Sequence, residues 1–214
     1  MKILFLVALL LFIVLVLLLG SKVFGQRRTR SASILIVGPC GSGKTLLFYR
    51  LVHDETVDTV SSMQPNESPA SPDGLPLRLV DLPGHYRLRG LLPDELECAQ
   101  AIIFVFDASD ALKQAKPAAE LLYAILSTFA DSKTGPDLLF ICNKSDNKVV
   151  KTTQRVKLMM MNEIETLRKT ENSIQSTADG ASSSSEQAKL GIPGQFFNFD
   201  AHSPCKIDFI LFSA

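Results

Sequence analysis

The sequence predicts an α/β fold in which a mostly parallel sheet has helices on both faces. Apolar runs of strand length alternate with segments of helical periodicity, and several of the runs lead directly into polar or glycine-rich segments. The predicted strands are residues 34–37, 77–80, 101–106, 138–142 and 206–212. A chain of 214 residues is long enough for one such domain with a substantial core.

Helices are predicted at residues 45–52, 117–130 and 156–167. The leucine-rich face of the second helix repeats at helical spacing, which favours the protein core over a partner surface. Two polar segments, residues 56–74 and residues 172–194, are predicted to be loops, and the second of them to be disordered. We therefore expect one folded domain over residues 33–214.

The clearest functional motif lies between the first predicted strand and the first predicted helix. Its eight residues fit the pattern G-x-x-x-x-G-K-[ST] and are Gly38, Pro39, Cys40, Gly41, Ser42, Gly43, Lys44 and Thr45. The glycines let backbone N–H groups and the helix N-terminus face phosphate oxygens, while Lys44 supplies a positive charge and Thr45 a hydroxyl for Mg²⁺. The motif predicts binding of a nucleoside triphosphate.

A second motif predicts which base is bound. The strand at residues 138–142 runs directly into Asn143-Lys144-Ser145-Asp146, which fits N-K-x-D. The Asp146 carboxylate can accept two hydrogen bonds from the N1 and N2 side of guanine, whereas adenine has no such pair of donors. Together with the phosphate-binding loop, this motif favours GTP and GDP over ATP.

A third motif, D-x-x-G, follows the strand at residues 77–80. Asp81 can hold the hydration shell of Mg²⁺, and the backbone N–H of Gly84 can approach a γ-phosphate closely because no side chain intervenes. His85 comes next, where it either orients an attacking water molecule or is a loop residue without a chemical role. GTP hydrolysis by this chain is therefore left open by the sequence.

The N-terminus is predicted to anchor the chain in a membrane through residues 3–20. Within it are 17 consecutive apolar residues, which span about 26 Å as a helix. Residues 21–32 form a basic linker, and the positive-inside rule then places the folded domain in the cytosol. A cleaved secretory signal is the alternative interpretation of the same segment.

Composition excludes two classes of function. The 22 basic and 22 acidic residues balance, so the chain lacks the positive surface that direct nucleic-acid binding requires. The cysteines are scattered without C-x-x-C spacing, which argues against a cysteine metal site and suits reduced cytosolic thiols. They are Cys40, Cys98, Cys142 and Cys205.

With these motifs in order, the chain resembles a small GTPase with a P-loop GTPase fold, and more narrowly the family of signal recognition particle receptor β subunits. The narrower resemblance rests on the N-terminal anchor, residues 59–66 with Met63-Gln64-Pro65-Asn66, and residues 83–89. It implies a GTP/GDP switch that holds the receptor α subunit at the endoplasmic reticulum membrane. Contacts with the ribosome and the translocon would then be indirect.

The resemblance also bears on the predicted loop at residues 56–74. GTPases keep in this place a switch segment whose hydroxyl closes on Mg²⁺ and the γ-phosphate. Thr59, Ser61 and Ser62 all carry a suitable hydroxyl. Ser61 lies nearest to the family position, so we expect it to bind the metal and the nucleotide.

The C-terminal strand runs into Ser213 and Ala214, which resemble the start of the loop that backs the guanine base. The final helix of the family is missing from this sequence, so we expect an apolar face of the sheet to be exposed unless a partner covers it.

Two alternative functions remain open. One is an Arf-like trafficking GTPase, which usually carries a lipid signal, whereas this chain has Lys2 in place of the glycine that myristoylation requires. The other is a scaffold with a degenerate GTPase fold that binds its partner whatever the nucleotide.

Overall fold

The computed structural model describes residues 32–55, 59, 62–70, 76–85, 90–132, 134–146, 152–178, 190–192 and 194–213. All of them belong to one compact unit, Ala32–Ala214. The predicted anchor at residues 3–20 lies outside the described residues, as does the basic linker apart from Ala32. Within the described part of the chain, every helix is too short or too polar to cross a bilayer.

The core of the domain is a six-stranded sheet with the order β2-β3-β1-β4-β5-β6. The strands are β1 (Ser33–Val37), β2 (Asn66–Ala70), β3 (Leu77–Asp81), β4 (Ala99–Asp107), β5 (Asp137–Asn143) and β6 (Ile207–Leu211). Every pairing is parallel except that of β2 with β3, which is antiparallel. The predicted α/β class with a mostly parallel sheet is confirmed.

Five helices accompany the strands in the described residues. They are α1 (Lys44–His53), α2 (Leu92–Leu96), α3 (Ala111–Phe129), α4 (Thr153–Ala178) and α5 (Phe199–His202). The leucine-rich face of α3 lies in the core as the periodicity predicts, since Leu122, Ile125 and Leu126 are fully buried. This burial removes three large apolar side chains from water and fixes α3 against the sheet.

The two faces of the sheet have separate apolar cores. On one face, α3 and α4 pack over the aromatic side chains of β4 and β5, and the Phe104 and Phe140 rings stack with centroids 4.9 Å apart. On the other face, Leu47 and Phe48 of α1 pack against Ile36 and neighbouring apolar residues. Helices therefore cover both faces, as the sequence predicts.

Two predicted loops are shorter than the sequence indicated. The segment 56–74 contains β2, which hydrogen-bonds to β3 at the edge of the sheet although its sequence, Asn-Glu-Ser-Pro-Ala, lacks apolar alternation. The segment 172–194 begins inside α4, which continues to Ala178. Both predictions were wrong at these places because apolar periodicity does not reveal strands and helix ends that are rich in polar residues.

The strand β6 forms the other edge of the sheet. Its side chains Ile210 and Leu211 are 38% and 43% exposed.

The loops that form the candidate site all lie on one side of the domain. The strands β1, β3, β4 and β5 are parallel, so their carboxyl ends, and the loops that follow them, lie on the same side of the sheet.

Candidate nucleotide-binding site

The loops that follow the parallel strands enclose a polar cleft of about 260 Å³. Gly41, Lys44, Thr45, Ser62, Gly84 and Lys144 are among the residues that line it. These residues come from the phosphate-binding loop, the segment before β2, the D-x-x-G loop and the N-K-x-D loop. The structure thus brings all of the motifs found in the sequence to one place.

The phosphate-binding loop bends sharply between β1 and α1. Gly38 has a φ of +151°, and a Cβ there would collide with the carbonyl oxygen of Val105. A side chain at this position would push the loop away from β4. The glycine therefore keeps the backbone close to the sheet, so that its N–H groups and the N-terminus of α1 face the cleft.

Lys44 is held in the middle of this loop. Its ammonium group donates hydrogen bonds to the carbonyl oxygen of Pro39 at 2.7 Å and to Oγ of Ser42 at 3.5 Å. Only 6% of the residue is exposed, and burial lowers the pKa of Lys44, with the nearby Asp81 charge acting in the opposite direction. A buried cation in a loop of backbone donors suits phosphate oxygens, which would restore the solvation that the ammonium lacks.

A cluster of oxygen atoms lies beside Lys44. The Thr45 hydroxyl donates to Oδ2 of Asp81 at 2.8 Å and lies 3.0 Å from Oγ of Ser62. Three segments of the chain therefore each contribute one oxygen atom to this cluster. Hydroxyl and carboxylate oxygens are the ligands that Mg²⁺ prefers, often through bound water.

Asp81 itself shows that this cluster fits a cation. The residue is fully buried, and its Oδ1 has no hydrogen-bond partner among the described residues. Burial raises the pKa of the Asp81 carboxyl, although hydrogen bonds from Thr45 and Asn66 act to lower it. A buried carboxylate with one unpartnered oxygen is costly, and a hydrated Mg²⁺ at this point would relieve that cost.

The structure gives the positions of two of the three hydroxyls that the sequence left open. Ser62 contacts Thr45, whereas Thr59 lines the cleft. Ser61, which we expected to bind the metal, lies outside the described residues. Its role stays a prediction, and Ser62 is the hydroxyl whose position the structure gives.

The D-x-x-G loop lies directly against the phosphate-binding loop. A Cβ added to Gly84 would stand 2.7 Å from the backbone nitrogen of Cys40 and 2.7 Å from the carbonyl oxygen of Gly38. Such a contact requires one of the two loops to move. His85 follows and is half-buried. Its predicted role with an attacking water stays a prediction.

The N-K-x-D loop is tied to the phosphate-binding loop by its first two residues. Nδ2 of Asn143 donates to the carbonyl oxygen of Ser42 at 3.0 Å, and Oδ1 accepts from the backbone N–H of Lys144 at 2.8 Å. The Lys144 ammonium reaches the carbonyl oxygen of Gly41 at 3.0 Å. These bonds fix the distance between the base side and the phosphate side of the cleft.

Asp107, at the end of β4, also holds Lys144. Its Oδ2 accepts from the Lys144 ammonium at 2.7 Å, and its Oδ1 accepts from the backbone N–H and the hydroxyl of Ser109. Burial acts to raise the pKa of Asp107, but the hydrogen bonds from Lys144 and Ser109 hold it below its usual value.

Asp107 therefore both caps the turn at Ser109 and contacts Lys144 of the N-K-x-D loop. No local pattern in the sequence predicts the contact with Lys144, because it depends on Asp107 and Asn143 ending neighbouring parallel strands in register.

Of the last two residues predicted to lie at the base, the structure describes Ser213 but not Ala214. The Ser213 hydroxyl donates to Oδ1 of Asp146 at 2.9 Å, and Ser145 bonds to the carbonyl oxygen of Phe212. The segment after β6 therefore lies beside the N-K-x-D loop, as expected of a loop that backs the base. Ala214 lies outside the described residues.

A mostly parallel sheet whose carboxyl edge carries a phosphate-binding loop, a Thr–Asp–Ser oxygen cluster and an N-K-x-D loop defines the class of small P-loop GTPases. A family model described as the signal recognition particle receptor beta subunit matches residues 29–203. The chain belongs to this family. This family membership favours a function as a receptor β subunit over the Arf-like trafficking GTPase that the sequence left open.

Individual relatives agree with this placement. The signal recognition particle receptor subunit beta of Mus musculus is 37% identical over 212 residues, which are 97% of this chain and 78% of the relative. The solved structure of the mammalian SRP receptor is 34% identical, with a TM-score of 0.66, and the match covers 85% of this chain and 90% of that one.

A more distant structure shares the fold. It is the SRb-GDP-Mg form of the receptor from Chaetomium thermophilum, with 21% identity and a TM-score of 0.59 over 88% of this chain and 91% of that one.

Proposed function

We propose that this protein is the β-type subunit of a signal recognition particle receptor, acting as a Mg²⁺-dependent GTP/GDP switch that holds the receptor α subunit at the endoplasmic reticulum membrane. The main support for a switch is that the Thr45 hydroxyl contacts both Asp81 and Ser62. The Asp81 carboxylate in turn interacts electrostatically with Lys44. Family membership supports the cellular role, and the nucleotide-bound state of the Chaetomium thermophilum neighbour supports the ligands.

In this proposal the phosphate side of the cleft is built before nucleotide arrives. The backbone N–H groups of the loop and the Lys44 ammonium receive the phosphate oxygens, and the ammonium exchanges its bond with the Pro39 carbonyl for one with phosphate. Thr45, Asp81 and Ser62 would hold Mg²⁺ through their hydroxyl and carboxylate oxygens. Mg²⁺, when bound, would neutralise charge on the phosphate oxygens.

The switch follows from the different origins of these groups. Lys44 and Thr45 lie where the phosphate-binding loop enters α1, whereas Ser62 and Gly84 lie on two other segments of the chain that contact this loop. A γ-phosphate gives Ser62 and the Gly84 N–H a shared ligand, and its loss leaves both segments free to move. The partner subunit would bind the ordered arrangement more tightly than the other one.

On the base side, Asp146 would accept the two guanine donors, with Ser213 supporting the carboxylate from behind. Asn143 and Lys144 would set its distance from the phosphates through their bonds to Ser42 and Gly41. Adenine has no such pair of donors and would leave the Asp146 carboxylate without hydrogen bonds from the base, which disfavours ATP.

We further propose that residues 3–20 cross the membrane once and leave the GTPase domain in the cytosol. The support is the uncharged apolar run followed by a basic linker. Protease treatment of intact microsomes containing the full-length chain tests this arrangement. Digestion of the domain without detergent is expected, whereas protection of the domain until detergent is added would contradict it.

The switch is tested by capture of the receptor α subunit on full-length chain in detergent. We expect GTP-loaded protein to capture more α subunit than GDP-loaded protein, and Lys44→Ala protein to capture little with either nucleotide. Equal capture in all three samples would support the nucleotide-insensitive scaffold instead. Asp110→Asn is a suitable control, since Asp110 pairs with Lys113 on the surface of α3, outside the phosphate-binding residues.

A further inference from the structure

Asn66 is the first residue of β2 and lies directly opposite Asp81 in the antiparallel register of β2 and β3. Residues that are opposite one another in such a pair place their side chains on the same face of the sheet. The Nδ2 of Asn66 donates to Oδ2 of Asp81 at 3.0 Å. Asn66 therefore reaches the buried carboxylate from the edge of the sheet.

The two carboxylate oxygens of Asp81 differ in their hydrogen bonding. Oδ2 accepts from both Thr45 and Asn66, whereas Oδ1 has no partner among the described residues. Two donors from two different elements hold the carboxylate by one oxygen. A group held in this way cannot exchange its two oxygens without losing both bonds.

We propose that Asn66 is a positioning residue of the metal site, which fixes the Asp81 carboxylate so that Oδ1 stays available to a water molecule bound to Mg²⁺. The inference rests on the proposed Mg²⁺-dependent binding of guanine nucleotide. Groups that contact a ligand of the metal, rather than the metal itself, commonly set how tightly that metal is held. Asn66 has this relation to Asp81.

The position of Asn66 in the chain adds a second consequence. Ser62, whose hydroxyl contacts Thr45, comes four residues earlier on the segment that leads into β2. A shift of β2 by one residue would turn Asn66 to the other face of the sheet and move it away from Asp81. The Asn66–Asp81 bond thus ties the register of β2 to the metal-binding carboxylate.

The test measures how much free Mg²⁺ slows the release of a fluorescent GDP analogue from the full-length protein. We expect Asn66→Ala to require about tenfold more Mg²⁺ for half of the slowing. Release in excess chelator should match that of wild type. Ser68→Ala is the matched control, because Ser68 lies on the same strand and face but bonds only to the neighbouring Pro69 carbonyl in the described structure.

Two further variants separate positioning from folding. Asn66→Leu keeps the volume without the donor and should shift the Mg²⁺ midpoint as Asn66→Ala does, which keeps the test valid if the smaller side chain destabilises the edge strand. Asn66→Gln retains an amide donor and should recover part of the shift. Circular dichroism establishes that each variant is folded.

The outcomes are distinct. An unchanged midpoint in folded Asn66→Ala and Asn66→Leu, or faster release in chelator by the same factor as in Mg²⁺, would overturn the positioning role while leaving the proposed function intact. If wild-type protein released the analogue at one rate with and without Mg²⁺, both the inference and the Mg²⁺-dependent switch would be wrong.

Discussion

Asp107 and Lys144 form an ion pair, with 2.7 Å between Oδ2 and Nζ, at the carboxyl ends of two neighbouring strands. The Asp107 side chain is buried and the Lys144 side chain is 42% exposed. Because Lys144 also bonds to the Gly41 carbonyl, the pair joins β4, the N-K-x-D loop and the phosphate-binding loop. Its strength is therefore expected to affect how long a nucleotide stays bound.

Replacing Asp107 with Asn should accelerate nucleotide release. The change removes the charge that faces Lys144 while keeping the size of the side chain, and the partial exposure of Lys144 limits the effect to roughly threefold to tenfold in the dissociation rate of GDP. Stopped-flow displacement of a fluorescent GDP analogue measures it. The control is Asp110→Asn, which removes an exposed pair with Lys113 and should leave the rate unchanged. Equal rates for wild type and Asp107→Asn would contradict this prediction.

Replacing Asp146 with Asn should change the preferred base from guanine to xanthine. The carboxylate accepts from two guanine donors, whereas an amide offers one acceptor and one donor, which suits the additional oxygen of xanthine. We expect GTP to compete at least about a hundredfold less well, and XTP to compete better than it does with wild type. The Ser213 hydroxyl can still donate to the amide oxygen, so the local fold should persist. If Asp146→Asn protein still preferred GTP as wild type does, the base could not be bound by Asp146.

Asp81 should reduce the stability of the metal-free protein. Burial raises the pKa of its carboxyl, so around the folded-state pKa the folded protein holds a proton that the unfolded chain has released. Stability contributed by this group is greatest below the unfolded-state pKa and falls as pH rises through the folded-state pKa. Asp81→Asn removes the charge, and at pH 7 it should raise Tm by about 2–4 °C for each kcal/mol gained.

The check is a series of thermal melts in chelator from acid to neutral pH. The gain from Asp81→Asn should shrink as the pH falls and Asp81 becomes protonated in wild type. The same variant should also lose the slowing of nucleotide release by Mg²⁺. A lower Tm at pH 7, or a gain that grows toward acid, would show that the charge is compensated in the metal-free protein.

Cys40 should react first with a thiol reagent, and bound nucleotide should protect it. It is exposed in the cleft, whereas burial raises the pKa of Cys142 to about 12 and that of Cys205 to about 11. Only a minute fraction of the last two is thiolate at pH 8. Mass spectrometry after brief treatment with iodoacetamide measures each site. Cys98, which is half-buried, serves as an internal control whose rate nucleotide should not alter.

A Cys40 rate that GDP leaves unchanged would contradict the location of the phosphates. Faster labelling of Cys142 than of Cys40 would contradict the burial of β5 on which the sheet depends.

The sequence predicted the parts of the site that depend on a short run of residues. The phosphate-binding loop and the N-K-x-D loop are each defined by backbone and side chains within eight residues, so their pattern carries the geometry. Five of the six strands were likewise predicted, because each is rich in apolar residues and belongs to the parallel part of the sheet.

The remaining features depend on partners distant in the chain. The strand β2 exists because β3 offers it an edge, and the residues that Asn66 and Asp107 contact are 15 and 37 positions away. The short helices α2 and α5 have too few residues for a periodic signal. Tertiary contacts of this kind leave no local pattern, so they became visible only in the structure.

The most direct test of the account is binding of a fluorescent GTP analogue to the purified protein in Mg²⁺, with GTP, GDP and ATP as competitors. If Asp146 pairs with guanine and Lys44 with phosphate, as proposed, GTP and GDP should displace the analogue and ATP should leave it bound. Displacement by ATP as effective as that by GTP, or the absence of binding by folded protein, would contradict the assignment of a guanine-nucleotide switch.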